Sequence, residues 1–196
     1  MKSKILVENY SYEELAHALY AKGEKDGYKK VTDKTKWREP VMAEKLGHDA
    51  HKAISAGKNS DKYGSDAFDP KTGMMAEYKT KALSEKNNEV KKLLGKPGKN
   101  GRLLAPLKAV GIYNGAYTQE AIDKYAKNDH YFGLFHKEKC VLIIKPNTSE
   151  VIKQLQAGYN KKKLTGGTTN LNTVSICLGD QSLYSVEYKN DEFFEK

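Results

Sequence analysis

Residues 63–83 read YGSDAFD, then PKTG, then MMAEYKTKAL. Asp-Pro opening a four-residue loop and Gly closing it is favourable turn chemistry, so the stretch predicts a β-hairpin with Pro70 to Gly73 as its loop. Side chains alternate along a strand. Glu77, Lys79 and Lys81 therefore share one face, and Tyr78 and Thr80 share the other. A four-residue loop sets Asp69 opposite Met74, and the same register sets Asp66 opposite Glu77, with Cβ atoms about 5 Å apart. A five-residue loop would put the two acids on a diagonal instead. Two facing carboxylates repel each other. A hard divalent cation such as Mg²⁺, with Mn²⁺ as a substitute, removes the conflict. Lys79 beside such a metal is placed to hold a phosphate or a water, which is the equipment phosphodiester hydrolysis requires.

Working outward, residues 11–22 predict a helix with a Ser11/Glu14 capping box, and residues 24–36 predict a Lys-rich loop. A second helix is expected from Pro40 to Ala56, with Met42, Leu46, Ala50, Ala53 and Ile54 as its apolar stripe and Gly57 as its stop. After the hairpin, residues 84–103 predict a short helix and then a basic loop. Residues 107–113 read as a buried strand, and Thr118–Lys127 as a helix capped by Thr118. YFGLFH and KCVLIIK read as a strand pair, and Thr148 or Ser149 caps a helix expected to run to Gln156. Residues 158–170 predict a basic, Gly/Thr-rich loop. NTVSICL and SLYSVEY predict a closing hairpin around Gly179 and Asp180. The order does not alternate regularly, so the fold class expected is α/β in an α+β-like arrangement: a central mixed sheet flanked by helices.

The 196 residues suit one domain, 38% of them hydrophobic and 30% charged, with a formal net charge of +9. Such a balance points to a polyanionic partner. The two cysteines, Cys140 and Cys177, lie in apolar runs and read as buried free thiols, consistent with a cytoplasmic location. No apolar run approaches a membrane span. The segment GKPGKNGR lacks the Gly-Lys-Ser/Thr ending of a phosphate loop, so no nucleotide cofactor is expected. Gly-x-Ser-x-Gly is absent, which leaves serine nucleophile chemistry without support. Glu44, His48 and His51 at helical spacing could hold zinc, but they lack the metalloprotease order, and a polar helix face is the preferred reading. Tyr10, Tyr12, Tyr20 and Tyr28 read as packing residues rather than base-stacking ones.

The pattern Asp66, hairpin, Glu77-x-Lys79 resembles the core motif of the PD-(D/E)xK nuclease superfamily, to which many type II restriction endonucleases belong. Ser65 stands where that motif usually has Pro. The resemblance covers about residues 39–83. It implies a single nuclease domain over 1–196, with a catalytic core at about 39–145, and a Mg²⁺-dependent endonuclease of the restriction type acting on double-stranded DNA. Asp66 and Glu77 would bind metal, and Lys79 would be catalytic. An acid on the preceding helix would assist, Glu44 by preference and Glu39 as the weaker choice. DNA contacts are expected from Lys81 and from the loops at about 84–103 and 158–170. The candidates there are Lys99, Asn100, Arg102, Lys161, Lys162, Lys163, Asn170 and Asn172. A homodimer is expected by analogy with restriction enzymes on palindromic sites. The alternatives are a repair, nicking or RNA nuclease of the same superfamily, a non-catalytic basic nucleic-acid-binding protein, and a basic module for an acidic protein partner.

Overall fold

The structure is a computed structural model that describes residues 38–49, 65–114, 116, 118–137, 139–165 and 171–195. The expected helix at 11–22, the second half of the helix expected at 40–56, His51 and Asn170 lie outside the described residues.

Helix α1 (Arg38–Leu46) ends ten residues before the predicted Ala56. Gly47 takes φ 70°, its N–H donates to Glu44 O (3.2 Å), and the His48 N–H donates to Ala43 O (2.9 Å). These are the paired bonds of a Schellman motif, which needs a left-handed residue just past the helix. His48 therefore does not continue the helical face on which a zinc site was weighed. Past the turn, Asp49 forms an antiparallel bridge with Phe68, which ties the helix to the hairpin.

The hairpin forms in the expected register. Strands β1 (Ala67–Phe68) and β2 (Met75–Ala82) are antiparallel, with Ala67 opposite Ala76 and Phe68 opposite Met75. The turn is held from inside. The Asp69 carboxylate accepts from Lys71 N (2.8 Å) and Thr72 Oγ1 (2.9 Å), and Gly73 supplies φ 72°. Burial pushes the Asp69 pKa up, but these hydrogen bonds and the neighbouring His48 outweigh it and hold it below the usual range.

Next come α2 (Glu89–Leu93), β3 (Lys108–Asn114), α3 (Gln119–Tyr125), β4 (Asp129–His136), β5 (Lys139–Pro146), α4 (Thr148–Thr165), β6 (Leu171–Cys177), β7 (Tyr184–Lys189) and α5 (Asp191–Phe194). Thr118 caps α3 as expected, its hydroxyl accepting from Ala121 N at 3.1 Å. Five strands form a mixed sheet in the order β1-β2-β4-β5-β7, and β3 and β6 form a separate antiparallel pair. Among the described strands only β2 and β4 run parallel, with Glu77 beside His130 and Lys79 beside Phe132.

One face of the large sheet presents Phe132, Leu134, Leu142 and Ile144 to the small sheet and to the apolar stripes of α3 and α4. The other face presents Tyr78, Tyr131, Phe135 and Ile143 to Val41, Met42 and Ala43 of α1. Gly133 lets α1 approach this closely: a Cβ there would lie 2.5 Å from Met42 Sδ. Among the described residues no helix is long and apolar enough to cross a membrane. Both cysteines are free, Cys140 buried and Cys177 half-buried.

Two predicted elements are corrected. NTVSICL and SLYSVEY do not pair with each other: β6 lies on β3 and β7 on β5. Between them the Asp180 carboxylate accepts from Ser182 N and Ser182 Oγ, closing a 3₁₀ turn at Gln181–Leu183 that redirects the chain. The basic segment 158–170 is not a loop at its start, because α4 continues through Thr165 and carries Lys161, Lys162 and Lys163 on its last turns. Gly158 is not a helix stop but a packing position. A Cβ there would lie 2.0 Å from Asn172 Oδ1, and the buried Asn172 amide donates to Leu155 O (2.8 Å) and Ala116 O (3.2 Å). Asn172 thus joins α4 and the chain before α3 to β6, and it is not available to DNA.

Asn172→Ala should take the Asn172 donor from the Ala116 carbonyl and remove the added bond to Leu155 O, at a cost of about 2 kcal/mol. Gly158→Ala should destabilise through the same contact. Urea unfolding midpoints check both, and wild-type midpoints in both variants would contradict the role given to Asn172.

Candidate active site

Alternation along β2 sends Glu77 and Lys79 toward β3 and sends Tyr78 toward α1. Glu77 is buried, at 5% exposure. The Lys79 ammonium donates to Glu77 Oε1 at 2.5 Å. Asp66 stands where the hairpin register puts it across from Glu77. Its N–H donates to Ala76 O (2.9 Å), and its Oδ2 accepts from Tyr78 N (2.6 Å). β1 begins at Ala67, so the Asp66 carboxylate takes a ladder hydrogen bond that a further strand carbonyl would otherwise fill. Just before it, Ser65 Oγ accepts from Asn128 Nδ2 (3.0 Å), which fixes the segment to the chain entering β4.

β3 closes over this face. Gly111 leaves room for the Lys79 stem, since a Cβ there would lie 2.8 Å from both Lys79 Cγ and Phe132 Cζ. Two residues on, the Tyr113 ring lies under the Lys79 ammonium, 4.7 Å from Nζ to centroid. Tyr113 is buried and pairs with His130 Nδ1 at 3.0 Å, while His130 Nε2 lies 3.0 Å from Tyr125 O. A carbonyl only accepts, so Nε2 carries the imidazole proton, Nδ1 accepts, and the Tyr113 hydroxyl donates.

The charges are unevenly compensated. Burial raises the Glu77 pKa to about 7 against the opposing attraction of Lys79, and Asp66 and Glu39 push it further up. Burial also raises Asp66, offset by Lys79 and by the Tyr78 N–H. Among the described residues Glu77 Oε2 is a buried oxygen with no hydrogen-bond partner. The described residues contain no group of three or more His, Cys, Asp or Glu able to hold a metal, so the donor set on offer is the Asp66/Glu77 pair. Two facing carboxylates, one with an unused oxygen, fit Mg²⁺, which binds through one or two carboxylates and keeps water and phosphate in its other positions.

The structure brings Asp66, Glu77 and Lys79 together. Glu39 and Glu44 are both exposed on α1, and the one whose charge reaches Glu77 is Glu39. Five residues separate the two, about 140° around a helix, so they cannot both face the site. Lys81 shares the face of Glu77 and Lys79 but is held by Glu89 at 2.7 Å. Lys99, Asn100 and Arg102 are exposed on the turn at 98–102, and Lys161 and Lys163 are exposed on α4, with Lys162 half-buried. Gly111, Tyr113 and His130 had not been singled out for this site. Alternation within LKAVGIY puts Gly111 and Tyr113 on one face, but nothing in the sequence says which strand they cover. No protein-family model matches the chain, and no curated protein matches it.

Burial pushes His130 down to about 4 from an ordinary 6.5, with the Tyr125 carbonyl opposing and Lys79 assisting. The unfolded chain then binds the extra proton between those values, so this contribution to stability is lost as the pH falls from 6.5 to 4, by at most about 3 kcal/mol. Glu77, raised from 4.5 to about 7, works oppositely: the folded state binds the extra proton, and its contribution grows as the pH falls through that interval. The ring itself is therefore the clean readout. NMR should find His130 neutral, with its proton on Nε2, from pH 7 down to about 5. Protonation with an unshifted midpoint would contradict the buried hydrogen-bond chain.

Proposed function

We propose that the protein is a Mg²⁺-dependent endonuclease of the restriction type that hydrolyses phosphodiester bonds in double-stranded DNA. One observation carries the reading: a buried Glu77 has one oxygen on Lys79 and the other unsatisfied, directly across a hairpin from Asp66. A structural ion pair would satisfy both oxygens or leave the free one to water, whereas a metal-binding carboxylate needs an oxygen kept aside.

In this reading Asp66 and Glu77 hold the ion, which when bound supplies Lewis-acid stabilisation of charge on the scissile phosphate. The Tyr78 N–H fixes Asp66, so that carboxylate does not swing away from its partner. Lys79 keeps its ammonium at the edge of the pair, with a positive charge for phosphate oxygens and a donor to orient the attacking water. Glu77 Oε1 holds that ammonium in place. Glu39 adds negative potential from α1.

The net charge of +9 and the exposed Lys99, Arg102, Lys161 and Lys163 support a nucleic-acid substrate, because phosphate neutralisation supplies most of the sequence-independent affinity. Duplex DNA as the substrate, sequence-specific cutting, a homodimer and a cytoplasmic location rest on the resemblance of the Asp66/Glu77-x-Lys79 pattern.

A long mixed-sequence duplex incubated with the protein and Mg²⁺ tests the proposal, beside an EDTA control and Lys79→Ala. Discrete fragments lost in both controls are expected, with Lys79→Ala slowing cleavage by about 100-fold or more. A smear lost in both controls would point to a non-specific or repair nuclease. Intact DNA, with a duplex mobility shift unchanged in Lys79→Ala, would overturn the enzyme and leave a binding protein.

A further inference from the structure

We propose that Tyr113 is the positioning residue for Lys79: its ring face holds the ammonium against Glu77, and His130 holds the ring. The consequence for catalysis rests on the nuclease reading above; the positioning itself does not.

A lysine side chain is a point charge on a flexible four-carbon stem. A single contact with Glu77 Oε1 fixes its tip at one point and leaves the stem free to pivot about it. Two residues of β3 remove that freedom. Gly111 provides the slot for the stem, and any side chain there would meet Lys79 Cγ. Tyr113, on the same face of the strand and itself buried, receives the ammonium at 4.7 Å, within the range of a cation–π attraction. The ring is itself immobilised. Its hydroxyl donates to His130 Nδ1, and His130 Nε2 donates to the Tyr125 carbonyl, a backbone atom at the end of α3. The Tyr125 ring packs edge-on against Tyr113 at 5.1 Å.

The chemistry explains an aromatic ring at this position. The site already has two carboxylates close together. A third acid would hold Lys79 equally well, but it would add another buried negative charge and compete with them for the metal. A π-face attracts the cation with no formal charge, so it restrains Lys79 without adding a competitor for the metal and leaves Glu77 Oε2 free.

The test reads the Lys79 side chain directly. In full-length protein carrying ¹³C-labelled lysine, the Lys79 Hε resonances, assigned with Lys79→Arg, should lie upfield of those of the other lysines because of the Tyr113 ring current. Tyr113→Phe, which keeps the ring but loses the hydroxyl bond to His130, should retain part of the shift, and Tyr113→Leu should lose it. In the Mg²⁺ cleavage assay Tyr113→Leu should lower kcat by about 10- to 100-fold with little change in KM for the duplex, and Tyr113→Phe, with the ring but without its tie to His130, should fall between Tyr113→Leu and the wild type. In a Lys79→Ala background Tyr113→Leu should have little further effect, which a merely structural tyrosine would not show. Near-UV circular dichroism verifies the fold of each variant. Lys79 Hε resonances at ordinary lysine positions in the wild-type protein overturn the proposal whatever the variants do, as does a wild-type kcat in Tyr113→Leu. A wild-type protein that fails to cleave DNA sinks the nuclease reading alone, and the spectrum still decides the role of Tyr113.

Discussion

A carboxylate taken out of water loses several kcal/mol of solvation, and the loss is recovered only if its oxygens find charge and hydrogen bonds. Glu77 recovers it on one oxygen, from Lys79, and not on the other. Asp66, across the hairpin, adds repulsion. Such a pair resists burial by itself, so the surrounding structure has to impose it. The turn centred on Asp69 imposes the register, the Tyr78 N–H captures Asp66, and the large sheet carries β2 between β1 and β4. The imposed conflict is a store of unfavourable electrostatic energy that a divalent cation would release.

The two faces of β2 divide the labour. Toward α1 the strand is apolar and aromatic: Ala76 and Tyr78 pack with Met42, Tyr131 and Ile143, and His48 hydrogen-bonds the Tyr78 hydroxyl at 2.8 Å. This face anchors the strand. Toward β3 the same strand carries Glu77, Lys79 and Lys81, all charged, and the neighbouring elements must accommodate those charges. Lys81 is neutralised by Glu89, which also accepts from Ser84 N and so helps fix the start of α2. Lys79 has Glu77 and Tyr113. A single alternating strand thus carries both an apolar support face and the charged face of the candidate site, and each residue's surroundings follow from the parity of its position.

Local chemistry was legible in the sequence, and long-range partnership was not. Asp69-Pro70 and Gly73 specify a turn, the turn specifies a register, and the register places Asp66 opposite Glu77. The helix capped by Thr118 and the strand pair β4/β5 were equally local. The errors share one cause. Gly158 looks like a helix breaker until Asn172, fourteen residues later, is seen to occupy the space its missing Cβ leaves. Gly47 looks like a tolerable glycine inside a longer helix until its φ of 70° closes a Schellman turn. β6 and β7 look like a hairpin because they are adjacent and alternating, yet Val174 and Ile176 belong to the layer with β3. A glycine required for packing and one required for a turn are identical in sequence and differ only in their surroundings.

The same distinction explains why the three charged residues of the site could be named from the sequence and their support could not. Charged side chains on one face of a strand conflict unless they have a purpose, and the conflict is visible from spacing alone. Tyr113, His130 and Gly111 carry no such conflict: an apolar strand with a glycine, and an aromatic strand with a histidine, are ordinary core sequences. They acquire meaning from the packing of β3 across β2 and from the parallel pairing that sets His130 beside Glu77. The parallel step from β2 to β4 is the one parallel pairing among the described strands of the large sheet, and the chain between them includes β3 and α3. That connection delivers Gly111, Tyr113 and the Tyr125 carbonyl to the back of the site. The excursion between two neighbouring strands therefore builds the wall against which Lys79 is held.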